Sequence, residues 1–185
     1  MKVKFFTLFA AMFILSMNIF AQEYPLVTLQ DIQQVPDSLL GTDPPSVLNG
    51  DTVRVRGIAL VSTVIDPDTN RGVIISAGAR WSGYIQDPES NLWGGLNIIQ
   101  NDTNGAAQGT FYDLVDSADI VELTGIVTEY NTTTELILIT APQPIPVQIL
   151  ESRPNRPAPI ELELSDLFTS TGGYNYDAEK YEGML

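Results

Sequence analysis

The chain contains no cysteine and no histidine, and beyond Lys2 and Lys4 its only lysine is Lys180. Without cysteine no disulfide can staple the fold, so stability has to come from a buried core. Without histidine the commonest general base and metal ligand are missing, with every Ser-His and Cys-His pairing. Neither G-x-S-x-G, nor a phosphate loop, nor G-x-G-x-x-G occurs. Basic residues are scarce as well: 9 Lys and Arg stand against 23 Asp and Glu, for a net charge of −14. Such a surface repels polyanions, because binding nucleic acid by counterion release needs clustered cations. The carboxylates are plentiful but scattered, and spacing alone places no two of them around a scissile bond. The composition therefore predicts no catalytic residues, no metal ligands, no cofactor and no enzyme activity of its own.

What is present begins with an export signal over residues 1–21. Lys2 and Lys4 give a positive start, a predominantly apolar run extends from Phe5 to Phe20, and Ala21 offers a small residue for cleavage. The run is short for a bilayer span, which takes about 20 apolar residues. After cleavage the prediction is a secreted or cell-surface chain with no membrane segment. Removing two lysines and no acids would take the net charge from −14 to −16. The remainder is long enough to bury a core without covalent help.

The centre of the chain reads as β-structure. In Asp51–Ser62, Val53 and Val55 alternate with Arg54 and Arg56, and after Gly57 both parities turn apolar. Asp119–Tyr130 repeats the design: Val53 matches Val121, Val55 matches Leu123, and Gly57 matches Gly125. A glycine where the pattern changes predicts a bulge or sharp coil in each strand. A repeat only one strand long indicates two equivalent strands of one barrel rather than two domains. Further strands are expected over Val73–Ala77, Ser82–Gln86, Leu96–Ile99 and Glu135–Thr140, with a short helical connector in Asp113–Ala118. Thr28-Leu-Gln-Asp31 has the form of a helix cap in the lead-in segment, residues 22–50. The order predicts an all-β protein, a five-stranded Greek-key barrel of the OB type with one short helical element.

One stretch concentrates the aromatic residues: R-W-S-G-Y-I-Q-D-P-E-S-N-L-W-G-G, from Arg80 to Gly95. Trp81, Tyr84 and Trp93 are ligand-binding candidates, since a barrel face can stack bases or sugar rings on such side chains. The competing reading is that Tyr84 and one tryptophan close the barrel, because aromatics bury large areas. Parity sets Tyr84 and Gln86 on one face and Ile85 on the other. Arg54, Arg56 and Arg80 are candidate phosphate contacts beside them. Against that, a strand arginine facing Glu122 across a ladder is an ordinary solvated pair. Asp66-Pro-Asp-Thr-Asn-Arg-Gly72 has the outline of a calcium loop, but Arg71 and Ala77 occupy its most demanding positions. It reads as a turn, as does Asn101–Gly105.

The G-Y-I-Q-D-P stretch, the two D-x-V-x-[VL]-x-G-I strands and the polar turn into T-E-L resemble OB-fold modules of secreted bacterial multidomain proteins. Such modules accompany extracellular nucleases of the endonuclease/exonuclease/phosphatase type, and large surface proteins exported by type IX secretion. The resemblance covers Asp51 to Thr140, with Tyr24 to Gly50 as a lead-in, and the barrel is expected over residues 51–141. Six of the twelve prolines then fall between Pro142 and Pro159, composing a Pro-rich linker over residues 142–176 that is expected to lead away from the barrel. Residues 177–185 contain E-K-Y-E-G-M-L, similar to the phrase that opens the next β module in nuclease-associated relatives, and suggest the start of a truncated module. The resemblance implies a non-catalytic accessory or binding module whose partners are downstream domains of the same protein. A nucleic-acid or glycan ligand is the further partner class. The alternative is a structural or adhesion module of a cell-surface protein making protein or glycan contacts.

Overall fold

A computed structural model describes residues 24–42, 44–61, 75–77, 80–101 and 111–185, with only the backbone at 75–77 and 112–113. The export signal, the Asp66–Gly72 turn, residues 73–74 and residues 102–105 lie outside the described residues. No helix among the described residues is long and apolar enough to cross a membrane.

The predicted lead-in cap forms as expected. Thr28 accepts the Asp31 amide at 3.0 Å while Asp31 accepts the Thr28 amide at 2.9 Å, and this reciprocal box opens helix α1, Leu29–Gln33. Its apolar side, Leu29 and Ile32, is buried in the main core.

The strands are β1 (Thr52–Ala59), β2 (Ile75–Ala77), β3 (Arg80–Gln86), β4 (Gly95–Gln100), β5 (Asp119–Tyr130), β6 (Thr133–Leu138) and β7 (Gln148–Ser152). Five of them close a ring in the order β1-β3-β4-β6-β5 and back to β1. Every pairing in the ring is antiparallel except β4 with β6. That ring with its single parallel seam is the OB-fold barrel. Helix α2 (Phe111–Leu114) connects β4 to β5 and puts Phe111 into the core. A Cβ at Gly83 would meet the Phe111 ring at 2.9 Å, so a side chain there would displace the ring that the helix puts into the core. The alternating residues Val53 and Val55, Val121 and Leu123, and Leu96 and Ile98 fill the interior.

The repeated pattern acquires a geometric meaning. Val55 matches Leu123 in the sequence repeat and also pairs with it across the β1–β5 ladder. The same register sets Val53 opposite Gly125 and Gly57 opposite Val121, so the two segments are related by a local dyad through Val55 and Leu123.

The expected bulges are absent at both glycines. The β1–β5 register runs unbroken from Thr52–Ile126 to Ile58–Ile120, and neither Gly57 nor Gly125 has a positive φ. Each glycine instead marks the place where its strand changes neighbours on the outer edge. Before Gly57, β1 bonds residues 25–27 through Arg54; after it, β3 takes over at Ile58. Before Gly125, β5 pairs with β7; from Gly125 onward it pairs with β6. At each glycine a Cβ would press on the backbone of the incoming neighbour: 3.1 Å from the Gln86 carbonyl of β3 at Gly57, 2.7 Å from the Ile137 carbonyl of β6 at Gly125. The register shift that does occur lies between Ile120 and Val121 in the β5–β7 ladder.

The Pro-rich segment is corrected too. It does not lead away from the barrel: Gln148–Ser152 forms β7 against β5, in a stretch free of proline between Pro146 and Pro154. The chain then recrosses the barrel, where the Arg156 guanidinium donates to the Leu60 carbonyl at 2.9 Å. Helix α3 (Leu164–Leu167) and a 3-10 turn at Tyr176–Tyr181 follow, and residues 182–185 return to β3 and β4. Strand β6 also starts earlier than expected, at Thr133, because the turn at Asn131 and Thr132 is made by two residues with positive φ.

Candidate functional site

Alternation along β3 decides which candidate side chains share a surface. Gly83 and Ile85 face the core, and Trp81 lies on that side by parity. Arg80, Ser82, Tyr84 and Gln86 therefore point outward, and Asn97 on β4 and Glu135 on β6 continue the outer surface.

One end of this face is a closed polar row. The Ser82 hydroxyl donates to Asn97 Oδ1 at 2.7 Å, and Asn97 Nδ2 donates to Glu135 Oε1 at 3.3 Å. The second Glu135 oxygen binds the Arg80 guanidinium, which also lies 4.8 Å over the Tyr130 ring. Burial raises the Glu135 carboxyl above its ordinary pKa and outweighs the opposing pull of Arg80. The Tyr84 hydroxyl is raised by burial first, and then by the negative charges of Glu182 and Glu135.

The other end of the face lies beneath residues 180–185. The Trp93 amide donates to the Lys180 carbonyl at 2.7 Å, and the Leu185 amide donates to Gln86 Oε1 at 2.8 Å. Between these bonds Gly183 crosses Gly95 backbone to backbone, so closely that a Cβ on Gly95 would collide with the carbonyl groups of Glu182 and Gly183. Leu185 packs on the outer cluster of Ile58, Leu60 and Tyr84, beside a cavity of about 240 Å³ lined also by Arg156 and Met184.

The sequence candidates thus separate. Arg80 and Tyr84 share the outer face of β3. Trp81 is half-buried on the opposite side, and Trp93 is buried at 6% exposure in the loop before β4. Arg54 and Arg56 lie on the outer side of β1, where both bind the buried Glu122 carboxylate, at 3.1 and 2.8 Å. Parity already sets Gln86 beside Tyr84, but the sequence does not single out Asn97, Glu135 or the Gly94–Gly95 pair. Glu135 was hidden in a strand that reads as apolar on both parities, and the signal available for the glycines was their doubling after Trp93. Among the described residues no group of three or more Asp and Glu gathers to hold a metal ion.

No protein-family model and no curated protein matches the chain. Solved structures do. An OBody bound to hen egg-white lysozyme shares 18% identity, over 57% of this chain and 84% of that one, with a TM-score of 0.36. The second OB-fold domain of replication protein A from Methanococcus maripaludis shares 12%, over 58% and 92%, with a TM-score of 0.35. The S. pombe Stn1-ten1 complex shares 11%, over 46% and 52%, with a TM-score of 0.33. The barrel assignment stands on the ring of pairings described above, and these likenesses carry no argument about what the chain binds.

Proposed function

We propose that this chain is a non-catalytic OB-fold accessory module of an exported multidomain protein, and that it holds polypeptide rather than nucleic acid. In this reading the export signal over residues 1–21 is removed. The barrel then positions downstream domains of the same protein, an extracellular nuclease or phosphoesterase being the host that the sequence resemblance implies. One observation carries the choice of ligand class. Arg54, Arg56 and Arg80, the cations on the barrel strands, are each bound to a buried glutamate, Glu122 or Glu135. These three arginines share two carboxylates and so leave a single surplus positive charge, a weak patch for a phosphate backbone on a chain whose net charge goes from −14 to −16 once residues 1–21 are removed. The barrel face meanwhile bonds a stretch of polypeptide backbone.

The test is a fluorescence titration of the chain with single-stranded oligonucleotides at low salt. No saturable binding is expected, and salt-sensitive binding lost in an Arg80→Ala variant would reverse the assignment. A phosphoesterase-type domain is expected downstream in the same reading frame, and its absence would remove that host.

The adhesion reading has its own supporting observation. Tyr174 and Tyr176 are both more than half exposed, with rings edge to face at 6.1 Å. They border two clefts of about 530 and 420 Å³ that also present Asn175, Asp177 and Glu179. Aromatic rings beside amide and carboxylate groups suit a sugar, with its apolar CH face and its ring of hydroxyls. Retention on immobilised polysaccharide, lost in Tyr174→Ala, would favour a glycan-binding role.

A further inference from the structure

We infer that the outer face of β3 and β4 is a docking cradle for a peptide turn with a glycine in it, and that residues 180–185, which leave the 3-10 turn through the Met184 amide bond to the Tyr181 carbonyl, are its resident occupant. The inference rests on the reading of the barrel as a polypeptide-binding module and names the segment it takes.

The cradle is built for a backbone. Trp93 is a bulky residue held at φ +59, a conformation that side chains of its size rarely adopt, and its amide there meets the Lys180 carbonyl. Gln86 is 2% exposed, and its side-chain oxygen receives the Leu185 amide. The segment covers this acceptor and at the same time supplies the donor that satisfies it, so the burial carries no unpaired polar atom. Gly94 and Gly95 keep the floor flat. A Cβ at Gly95 would strike Glu182 and Gly183, whereas one at Gly94 would first meet Ser90 of its own loop at 2.9 Å and then the Met184 methyl at 3.3 Å.

The occupant is matched to this surface. Gly183 has φ +68, and a Cβ there would come within 3.2 Å of the Gly95 carbonyl carbon and the Leu96 amide. Glycine meets both demands at once. Leu185 then enters the apolar cluster with Ile58, Leu60 and Ile120, while Glu182 stands near the Tyr84 hydroxyl. The class of ligand is thus an acidic–Gly–apolar–apolar peptide, and any other ligand for this face has to displace the resident segment.

The experiment uses the full chain, its Gly183→Val variant and its Leu185→Glu variant, with a labelled synthetic peptide of residues 177–185 as probe. In the unaltered chain the Trp93 amide is expected to be protected from hydrogen exchange and the peptide to be excluded. In both variants the Trp93 amide should exchange at least tenfold faster while the Leu123 amide in the barrel keeps its protection. The peptide should bind them at least tenfold more tightly than the unaltered chain. Equal Trp93 exchange in all three proteins, or no gain in peptide binding by either variant, would overturn the cradle. If Gly183→Val also lowers Leu123 protection, Leu185→Glu decides between the outcomes, because it leaves the backbone conformation at Gly183 untouched. Loss of Leu123 protection in both variants would make the segment part of the barrel's own fold and overturn the cradle as well. Oligonucleotide binding by the unaltered chain defeats the polypeptide reading itself, whereas failed peptide docking without it defeats the cradle alone.

Discussion

Glu122 on β5 stands directly across the ladder from Arg56 on β1 and accepts its Nε at 2.8 Å. Its other oxygen accepts from Arg54 at 3.1 Å. The three charges are unequally placed, since the Arg56 side chain is 55% exposed and that of Glu122 only 5%. Solvent can replace the carboxylate for the arginine far better than it can replace the arginines for the carboxylate.

Glu122→Gln, which keeps the shape and removes the charge, is therefore expected to cost about 1.5–3 kcal/mol, the range for hydrogen bonds to charged groups. Arg56→Gln should cost less than about 1 kcal/mol, as for an exposed pair. Urea unfolding of both variants measures the difference, and equal costs would contradict the asymmetry.

The two dyad-related glycines differ in how tightly they are held. At Gly125 an added Cβ meets the Ile137 carbonyl oxygen and Leu136 Cγ, both at 2.7 Å. At Gly57 the nearest atom is the mobile end of Ile85 at 3.0 Å. Gly125→Ala should cost about 1–3 kcal/mol through overpacking, and Gly57→Ala distinctly less. The denaturant midpoints give the order, and a costlier Gly57→Ala would contradict the crowding that distinguishes the two crossings.

Trp93 is buried, so Trp93→Ala is expected to cost about 3–5 kcal/mol as a large-to-small core change. A thermal melt reads this. A variant as stable as the parent would mean that the indole contributes nothing to the loop before β4.

The pH response of the polar row has a definite sign. Burial keeps the Glu135 carboxyl above its ordinary value of 4.5, so the folded chain binds that proton more readily than the unfolded one. The group's contribution to stability should therefore grow as pH falls from neutrality through the raised pKa, and level off below 4.5. Asp31 behaves oppositely: hydrogen bonds from Thr28 hold it below 3.8, so its contribution is intact above that pH and fades as pH drops through the lower folded value. Comparing the chain with Glu135→Gln at pH 7 and pH 5 isolates the first effect. The parent should gain on the variant at the lower pH, and a loss would show the sign to be wrong.

Legibility in the sequence followed the range of the interaction. The capping box at Thr28–Asp31 and the alternation of Val53, Val55, Val121 and Leu123 are local patterns, and both read directly into elements. The glycine positions were visible, but their reason was not, because crowding at Gly125 comes from Ile137 on another strand. Strand β7 was concealed by composition: prolines on both sides dominate any window that includes the proline-free residues Val147 to Arg153. The pairing of Arg56 with Glu122 is the ordinary alternative to phosphate binding that the strand pattern already offers. The contact of Gly95 with Gly183 left no trace, since two glycines have neither hydropathy nor charge to announce that they meet. Tyr84 and Arg80 stand out for their chemistry, yet what decides the surroundings of Tyr84 is a segment about a hundred residues further along.

The closure of the ring also sets a timetable for the newborn chain. Thr52 cannot find its partner until Ile126 has been made, and the parallel seam waits for residues 135–137. At roughly 5–20 residues per second, on the order of ten seconds separate the first strand from the last piece of the ring. Within that interval the free edge of β1 is open until Ile126 is made, and that of β4 from Gln100 until residues 135–137, to any neighbour that can pair with them. Whatever shields a nascent chain from its neighbours has to act on this protein before Leu138 emerges.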